Sequence, residues 1–242
     1  MRLKHEIRHL FHRIGIDIVR YPLHDPLVRT VKLLDHHRVD CVVDVGANDG
    51  GFARGIRGLG YNGRIISFEP LRKPFESLQR KSSPDPKWEA VNCAVGDSKC
   101  DVTINVSGNS GLSSSVLPIL ESHTKVAPDS RYVGTETVNQ ERLDTLLPEL
   151  GVGRDSRTFL KVDVQGYERA VIDGGSNLLA DGTIVGLQLE LSLVPLYEGA
   201  MTYREGLDRA DALGMTLMGL DPVFADSTSG QLLQADAVFF SS

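Results

Sequence analysis

A short glycine-containing segment carries the residue types of a ligand site. The segment DVGANDGG (44–51) follows an apolar run and contains Asp44, Gly46, Asn48 and Gly50. Glycines let the backbone approach a ligand without an intervening Cβ atom. In open α/β sheets, ligands bind beyond the carboxyl ends of the strands. We therefore expect Asp44, Gly46, Asn48 and Gly50 to contact a cofactor, with a plain tight turn as the competing interpretation.

An acidic residue further along the chain narrows the choice of cofactor. Glu69 closes the next predicted strand, nineteen residues after Gly50, where a carboxylate can accept both hydroxyls of a ribose. The loop lacks the GxGxxG spacing of dinucleotide sites. Asp44 and Asp49 would repel a pyrophosphate, whereas they suit the ammonium and sulfonium charges of S-adenosylmethionine (SAM). The sequence therefore favours SAM. An NAD-linked oxidoreductase and a non-catalytic nucleotide-binding module are the alternatives.

The sequence HEIRH (5–9) matches the HExxH pattern of zinc proteases. That chemistry needs a buried helix, a third ligand and a cleft. Here the pattern lies in a basic amphipathic stretch, so we interpret it as a solvated helix face and expect no metal site.

The hydrophobic pattern along the chain predicts alternating strands and helices. The predicted strands cover residues 41–45, 64–69, 88–95, 102–106, 158–164, 184–191, 215–220 and 235–240. The predicted helices cover residues 26–37, 52–59, 74–81, 167–179 and 203–213. Residues 107–140 are rich in Ser, Gly, Thr and Pro, and we expect a long loop with short helices. The alternation predicts an α/β fold with a mostly parallel sheet and helices on both faces.

Composition and charge exclude several classes of protein. With 41% hydrophobic and 24% charged residues, the 242-residue chain can bury a core without disulfide or metal support. Its net charge of −6 argues against nucleic acid as a partner. The three cysteines form no CxxC pair, which fits a reducing cytoplasm. No apolar run approaches the roughly 20 residues of a membrane-spanning helix.

Six motifs in a fixed order resemble the FkbM family of SAM-dependent methyltransferases. They are DVGANDGGF (44–52), ISFEP (66–70), NCAVGD (92–97), RLDTLL (142–147), LKVDVQGYE (160–168) and ELSLVPLYEG (190–199). The resemblance implies a class I methyltransferase (Rossmann-like) fold, in which a seven-stranded sheet has its last strand antiparallel. It also implies O-methylation of a hydroxyl on a sugar, a glycolipid or a related secondary metabolite. We expect this domain to cover residues 41–242, after a helical extension over residues 1–40.

The resemblance assigns roles to residues that match its motifs. Gly46 and Asn48 would line the methionine end of SAM, and Glu69 would hold the ribose. Asn92 and Cys93, at the end of the third strand, would frame the adenine.

A hydroxyl acceptor needs a base or a metal during attack, because it is a poor nucleophile. Asp163, which the resemblance places facing cofactor and acceptor, and Glu190 end neighbouring predicted strands, so their carboxylates would converge. Glu168 is a weaker candidate, since a carboxylate at a helix start stabilises the helix dipole. His123 is a further candidate base or a surface histidine. Two carboxylates would also suit Mg²⁺, although the spacing does not demand it.

The N-terminal segment differs in charge from the rest of the chain. Residues 1–40 carry eight Lys/Arg and five Asp/Glu, so their charge is opposite in sign to that of the body. One helical face of this segment is apolar, formed by Leu3, Ile7, Leu10, Phe11, Ile14 and Ile18. We expect a helix docked on the body or a lid over the site. The alternative is a peripheral membrane contact through residues 1–20, which a glycolipid acceptor would favour. Neither the acceptor's identity nor the oligomeric state follows from the sequence.

Removal of residues 1–20 tests the membrane alternative. We expect the full chain and the truncated chain to co-sediment equally weakly with anionic liposomes, because docking on the body would bury the apolar face. Stronger sedimentation of the full chain would favour the membrane-surface helix instead.

Overall fold

The computed structural model describes residues 25–241. The predictions for the apolar stripe of residues 3–18, for HEIRH (5–9) and for membrane contact through residues 1–20 lie outside the described residues. In the described part of the chain, no helix is long and apolar enough to cross a membrane.

A central sheet organises the fold. Its strands are β1 (Cys41–Val45), β2 (Arg64–Phe68), β3 (Trp88–Val91), β7 (Thr158–Val162), β8 (Ile184–Ser192), β9 (Met215–Ala225) and β10 (Leu232–Ser241). They lie in the order β3-β2-β1-β7-β8-β10-β9, and β10 is antiparallel to both of its neighbours. The other pairs are parallel. The predicted fold class, an α/β seven-stranded sheet with its last strand antiparallel, is confirmed.

Helices cover both faces of this sheet. The α-helices of residues 25–241 are α1 (Pro26–His36), α2 (Gly51–Gly58), α3 (Arg72–Ser82), α4 (Glu121–Val126), α5 (Leu143–Glu149), α6 (Glu168–Gly174), α7 (Ser176–Ala180) and α8 (Tyr203–Ala212). Of these, α4 packs through Val126 in a separate apolar cluster with Leu196 and Tyr197. The predicted helix 167–179 is divided into α6 and α7. Every residue of β1 and β7 is buried, which explains their nearly continuous apolar sequences.

A second, three-stranded sheet corrects the last part of the long loop predicted over residues 107–140, which forms a strand from Tyr132, whereas the expected short helix is present as α4. The strands of this sheet are β4 (Ala94–Val95), β5 (Cys100–Ser107) and β6 (Tyr132–Glu141), in the order β4-β6-β5. Most residues of β6 are exposed or half-buried, so its sequence lacks the apolar alternation that marks a strand with one buried face. The predicted strand 88–95 is likewise divided between the two sheets, as β3 and β4.

The loops after the parallel strands meet at one edge of the central sheet. Gly46, directly after β1, has φ of +80°, and a Cβ atom there would lie 1.9 Å from the main-chain oxygen of Asp163. Only glycine therefore allows the chain leaving β1 to lie against the chain leaving β7. This contact places the glycine-containing loop beside Asp163.

Two glycines that each end a helix test how closely the sheets and helices pack. A Cβ atom on Gly174, at the end of α6, would lie 1.9 Å from the main-chain oxygen of Gly96, next to β4. Gly58, at the end of α2, has no atom within 4 Å of that position. Gly174→Ala should lower the free energy of unfolding by about 1–3 kcal/mol through overpacking. Gly58→Ala should raise it by about 0.5 kcal/mol, because the unfolded chain loses freedom. Urea unfolding measures both changes, and equal stability of the two variants would contradict the close packing of α6.

Candidate active site

A pocket opens at the carboxyl ends of the central strands. It encloses about 730 Å³ when the space open to solvent is included. Its walls include Gly46, Asn48, Glu69, Cys93 and Asp163. Five of the residues that the sequence singles out thus line one pocket.

Glu69 is held at this pocket by the backbone of two loops. One carboxylate oxygen accepts the Asn48 N–H at 2.8 Å, and the other accepts the Leu71 N–H at 2.9 Å. The side chain is 5% exposed. Burial raises the pKa of this carboxyl to about 7, although the two backbone donors act in the opposite direction. The carboxylate is therefore fixed in place before any ligand binds.

The residues that line this pocket fit SAM. A carboxylate oxygen accepts more than one hydrogen bond, so each Glu69 oxygen can also accept a ribose hydroxyl. Gly46 leaves room for close approach of a ligand to the backbone, and the Asp163 carboxylate supplies negative charge on the same wall for a cationic ligand.

Asn92 and Gly50 lie outside the wall of this pocket, and both support it. The Asn92 amide donates to the main-chain oxygens of Glu69 and Pro70, at 2.9 Å each, and so holds the turn after β2. A Cβ atom on Gly50 would lie 2.9 Å from both Leu78 and Trp88. Gly50 therefore lets α2 begin against the neighbouring helix and strand. Direct contact of Asn92 and Gly50 with a cofactor stays a prediction.

Asp44 lies beneath the pocket, opposite Lys161 in the β1–β7 pairing. Its carboxylate is fully buried, 3.3 Å from the Lys161 ammonium, which is also 3.3 Å from Asp163. Burial alone would lower the pKa of Lys161, but the carboxylates of Asp163 and Asp44 outweigh burial and raise it. Lys161 therefore stays charged, and its ammonium lies 5.4 Å from the centre of the Phe52 ring. A direct part for Asp44 in cofactor binding stays a prediction.

Asp163 and Glu190 are brought together through an amide. The Gln165 amide nitrogen donates to Asp163 at 2.9 Å and to Glu190 at 2.7 Å. Gln234 donates to the same Glu190 oxygen at 2.7 Å. Burial, followed by the nearby Asp163 carboxylate, raises the pKa of Glu190 well above its usual value. Asp163 lines the pocket, and its side chain is 35% exposed, so it can contact a molecule bound there.

His123 lies apart from these carboxylates. It is 3% exposed, and its ring lies 5.3 Å from the rings of Tyr197 and Phe224. Burial lowers its pKa, and its Nδ1 has no hydrogen-bond partner in the described residues. The interpretation of His123 as a surface residue is wrong, since the ring is part of a small apolar cluster. A role as a base stays a prediction.

Glu168 has a structural role at the start of α6. One of its carboxylate oxygens accepts the N–H groups of Val164 and Gly166, at 3.2 and 3.0 Å. Burial raises the pKa of this carboxyl to about 7. Glu168 therefore shapes the turn that carries Asp163 and Gln165.

Sequence reasoning missed Lys161, Gln165 and Gln234. A signal for Lys161 exists, because a lysine inside an apolar strand and two residues before Asp163 must share its face. Gln165 gives no such signal, since its contacts depend on a left-handed backbone, with φ of +55°. In residues 25–241, no group of three or more His, Cys, Asp or Glu side chains is placed to hold a metal ion.

The comparison with known families agrees with this geometry. The family model described as "Methyltransferase FkbM domain" matches residues 44–215. The chain belongs to the FkbM methyltransferase family. The expectation of a SAM-dependent methyltransferase is thereby confirmed.

Similar proteins include one curated relative and several solved structures. The 2-O-methyltransferase NoeI of Sinorhizobium fredii is 28% identical over 173 residues, which cover 69% of each chain. The precorrin-6y C5,15-methyltransferase of Geobacter metallireducens is 12% identical, with 94% of each chain covered and a TM-score of 0.47. A 1,6-didemethyltoxoflavin N1-methyltransferase of Burkholderia thailandensis is 11% identical, with 99% of this chain and 87% of that chain covered and a TM-score of 0.44.

The ion pair beneath the pocket yields a stability prediction. Lys161→Met leaves the Asp44 carboxylate buried without a counterion, so we expect the free energy of unfolding to fall by about 3–5 kcal/mol. Asp44→Asn should have a smaller effect, because Lys161 keeps Asp163 as a partner.

The double variant Asp44→Asn/Lys161→Met is the control for this prediction. It removes both charges, so we expect it to be more stable than Lys161→Met alone when the two are compared by urea unfolding. Additive losses would show that the two charges do not stabilise each other.

Proposed function

We propose that this chain transfers a methyl group from SAM to a hydroxyl of a sugar, in a glycolipid or a related secondary metabolite. The observation that carries the proposal is a single pocket that both Glu69 and Asp163 line, with Asp163 linked to Glu190 through Gln165. Such a pocket offers one carboxylate for a nucleoside and a second for a reacting hydroxyl.

The cofactor would be held mainly by groups fixed before it binds. Glu69 would accept the ribose hydroxyls, because two backbone N–H groups already fix the positions of its oxygens. Gly46 and Asn48 would lie against the methionine end, and Cys93 against the adenine. When bound there, SAM supplies a methyl group on a positively charged sulfur.

Asp163 would accept the proton of the acceptor hydroxyl. Its carboxylate is half-exposed at the pocket and bonded to Lys161 and Gln165, which keep it in one orientation. Lys161 has a raised pKa and stays charged, so a fixed positive charge lies 3.3 Å from the Asp163 carboxylate. Most of the catalytic effect would come from holding the hydroxyl beside the cofactor, because SAM itself supplies the reactivity.

The relative named above supports oxygen as the acceptor atom. Its name describes a 2-O-methyltransferase, and it matches the chain over 173 residues. Carboxylates are good acceptors for the hydroxyls of a neutral sugar, which fits Asp163 and Glu190 on the acceptor side. We therefore expect a neutral sugar rather than an anionic one. We expect the protein in the cytoplasm, with peripheral membrane contact if the acceptor is lipid-linked.

Methyl transfer from labelled SAM to a panel of neutral alkyl glycosides tests the proposal. We expect label on a sugar oxygen, located by mass spectrometry. Asp163→Asn should lower the turnover number by about 10²-fold or more, because the base is lost. The affinity for S-adenosylhomocysteine, measured by calorimetry, should change by less than about threefold, because Glu69 still holds the ribose.

The matched control for the loss of one carboxylate is Asp101→Asn, since Asp101 is exposed on β5, and its turnover should equal that of the unmodified chain. Full turnover of Asp163→Asn would contradict the assignment of the base.

Binding of NAD without S-adenosylhomocysteine would favour an oxidoreductase. Cofactor binding without transfer to any glycoside would contradict the sugar acceptor. Activity that survives EDTA would remove a role for Mg²⁺.

A further inference from the structure

The turn that follows Asp163 contains Gln165, whose amide nitrogen and amide oxygen are both hydrogen-bonded to other side chains. The two amide N–H groups of Gln165 are directed to Asp163 and Glu190, at 2.9 and 2.7 Å. Its amide oxygen accepts the Tyr197 hydroxyl at 2.7 Å. An amide turned the other way would direct its oxygen at two carboxylate oxygens. The amide therefore has one favourable orientation.

Tyr197 fixes that orientation from the opposite side. Its side chain is 1% exposed, and burial raises the pKa of its hydroxyl, so the hydroxyl stays protonated and donates. The same hydroxyl lies 3.3 Å from the main-chain oxygen of Ser113. The loop that contains Ser113 also contains Ser114 and Ser115, which line the cofactor pocket.

The backbone of Gln165 is held as firmly as its side chain. Its φ of +55° lies in the left-handed region, which is unfavourable for most residues other than glycine, asparagine and aspartate. The Ser115 hydroxyl donates to the main-chain oxygen of Gln165 at 2.7 Å. A Cβ atom on the next residue, Gly166, would lie 3.0 Å from Tyr197. The turn is thus fixed by the pocket loop on one side and by Tyr197 on the other.

We propose that Gln165, oriented by Tyr197, is a positioning residue that spaces the two carboxylates and directs Asp163 toward the acceptor. This inference rests on the proposed function for the role of Asp163. The amide places a neutral double donor between two like charges, which would otherwise repel each other or share a proton. It also ties the position of Asp163 to the loop that forms the cofactor wall.

Gln234 is a closely matched control residue for Gln165. Gln165 and Gln234 both donate to the same Glu190 oxygen at 2.7 Å, but Gln165 also donates to Asp163. Replacement by methionine keeps the length of either side chain and removes its hydrogen bonds. A comparison of Gln165→Met with Gln234→Met therefore separates the positioning of Asp163 from the loss of one bond to Glu190.

The first readout is the titration of Glu190, followed by NMR of carboxyl carbons labelled in glutamate and assigned with Glu190→Gln. The charged groups that act on Glu190 are Lys161 of β7, Asp163 directly after β7, Glu168 of α6 and Asp236 of β10. Both methionine variants should raise its pKa further, because each removes a donor that favours the ionised form. An unmoved titration in Gln165→Met would overturn the bridge, and this readout does not depend on which acceptor the enzyme uses.

The second readout is turnover with the labelled methyl group. Gln165→Met should lower the turnover number by about tenfold or more, because a displaced Asp163 carboxylate is poorly aligned with the acceptor hydroxyl. Gln234→Met should lower it less than about threefold. Tyr197→Phe keeps the ring and removes the hydroxyl, so its loss should lie between the two.

These results separate the inference from the proposed function. Calorimetry should show a similar affinity for S-adenosylhomocysteine in Gln165→Met, Gln234→Met and Tyr197→Phe. A general loss of folding would instead lower that affinity. Equal turnover losses in Gln165→Met and Gln234→Met would overturn the positioning role. If Gln165→Met does not fold, full turnover of Tyr197→Phe would overturn it. Absence of methyl transfer by the unmodified chain would contradict the proposed function, while the Glu190 titration still decides whether Gln165 bridges the carboxylates.

Discussion

The candidate site depends on the ion pairs that the Lys161 ammonium forms. A charge inside a sheet is stable only where opposite charges compensate for the loss of water. Lys161 has such partners in Asp44, across the pairing of β1 and β7, and in Asp163, two residues further along the chain and directly after β7. The requirement for this ion pair fixes the ends of both strands relative to each other. The glycine-containing loop after β1 and the carboxylate-bearing turn after β7 depend on that alignment.

We propose that one side of the pocket binds the cofactor and the other the acceptor, and these two sides are built differently. On the cofactor side, Glu69 is fixed by backbone N–H groups from two loops, which any sequence with the same backbone would supply. On the acceptor side, Asp163 and Glu190 are arranged by other side chains, chiefly Gln165 and Lys161. The cofactor side therefore follows from the fold, whereas the acceptor side follows from individual residues.

The same difference explains what the sequence could predict. The buried parallel strands, the loop 44–51 and Glu69 follow from periodicity and from their positions at strand ends. Strand β6 escaped prediction because most of its residues are exposed or half-buried, so no apolar alternation marks it. The division of residues 88–95 between two sheets, and the amide between Asp163 and Glu190, depend on long-range contacts. Local patterns do not contain that information.

The left-handed backbone of Gln165 has a consequence for the evolution of this chain. A glutamine in that conformation carries strain on the order of 1 kcal/mol or more, which glycine would relieve. A sequence selected for stability alone would therefore place glycine at this position and lose the amide between the carboxylates. Glutamine at this position therefore gives the chain a less stable turn together with an amide that orders Asp163 and Glu190.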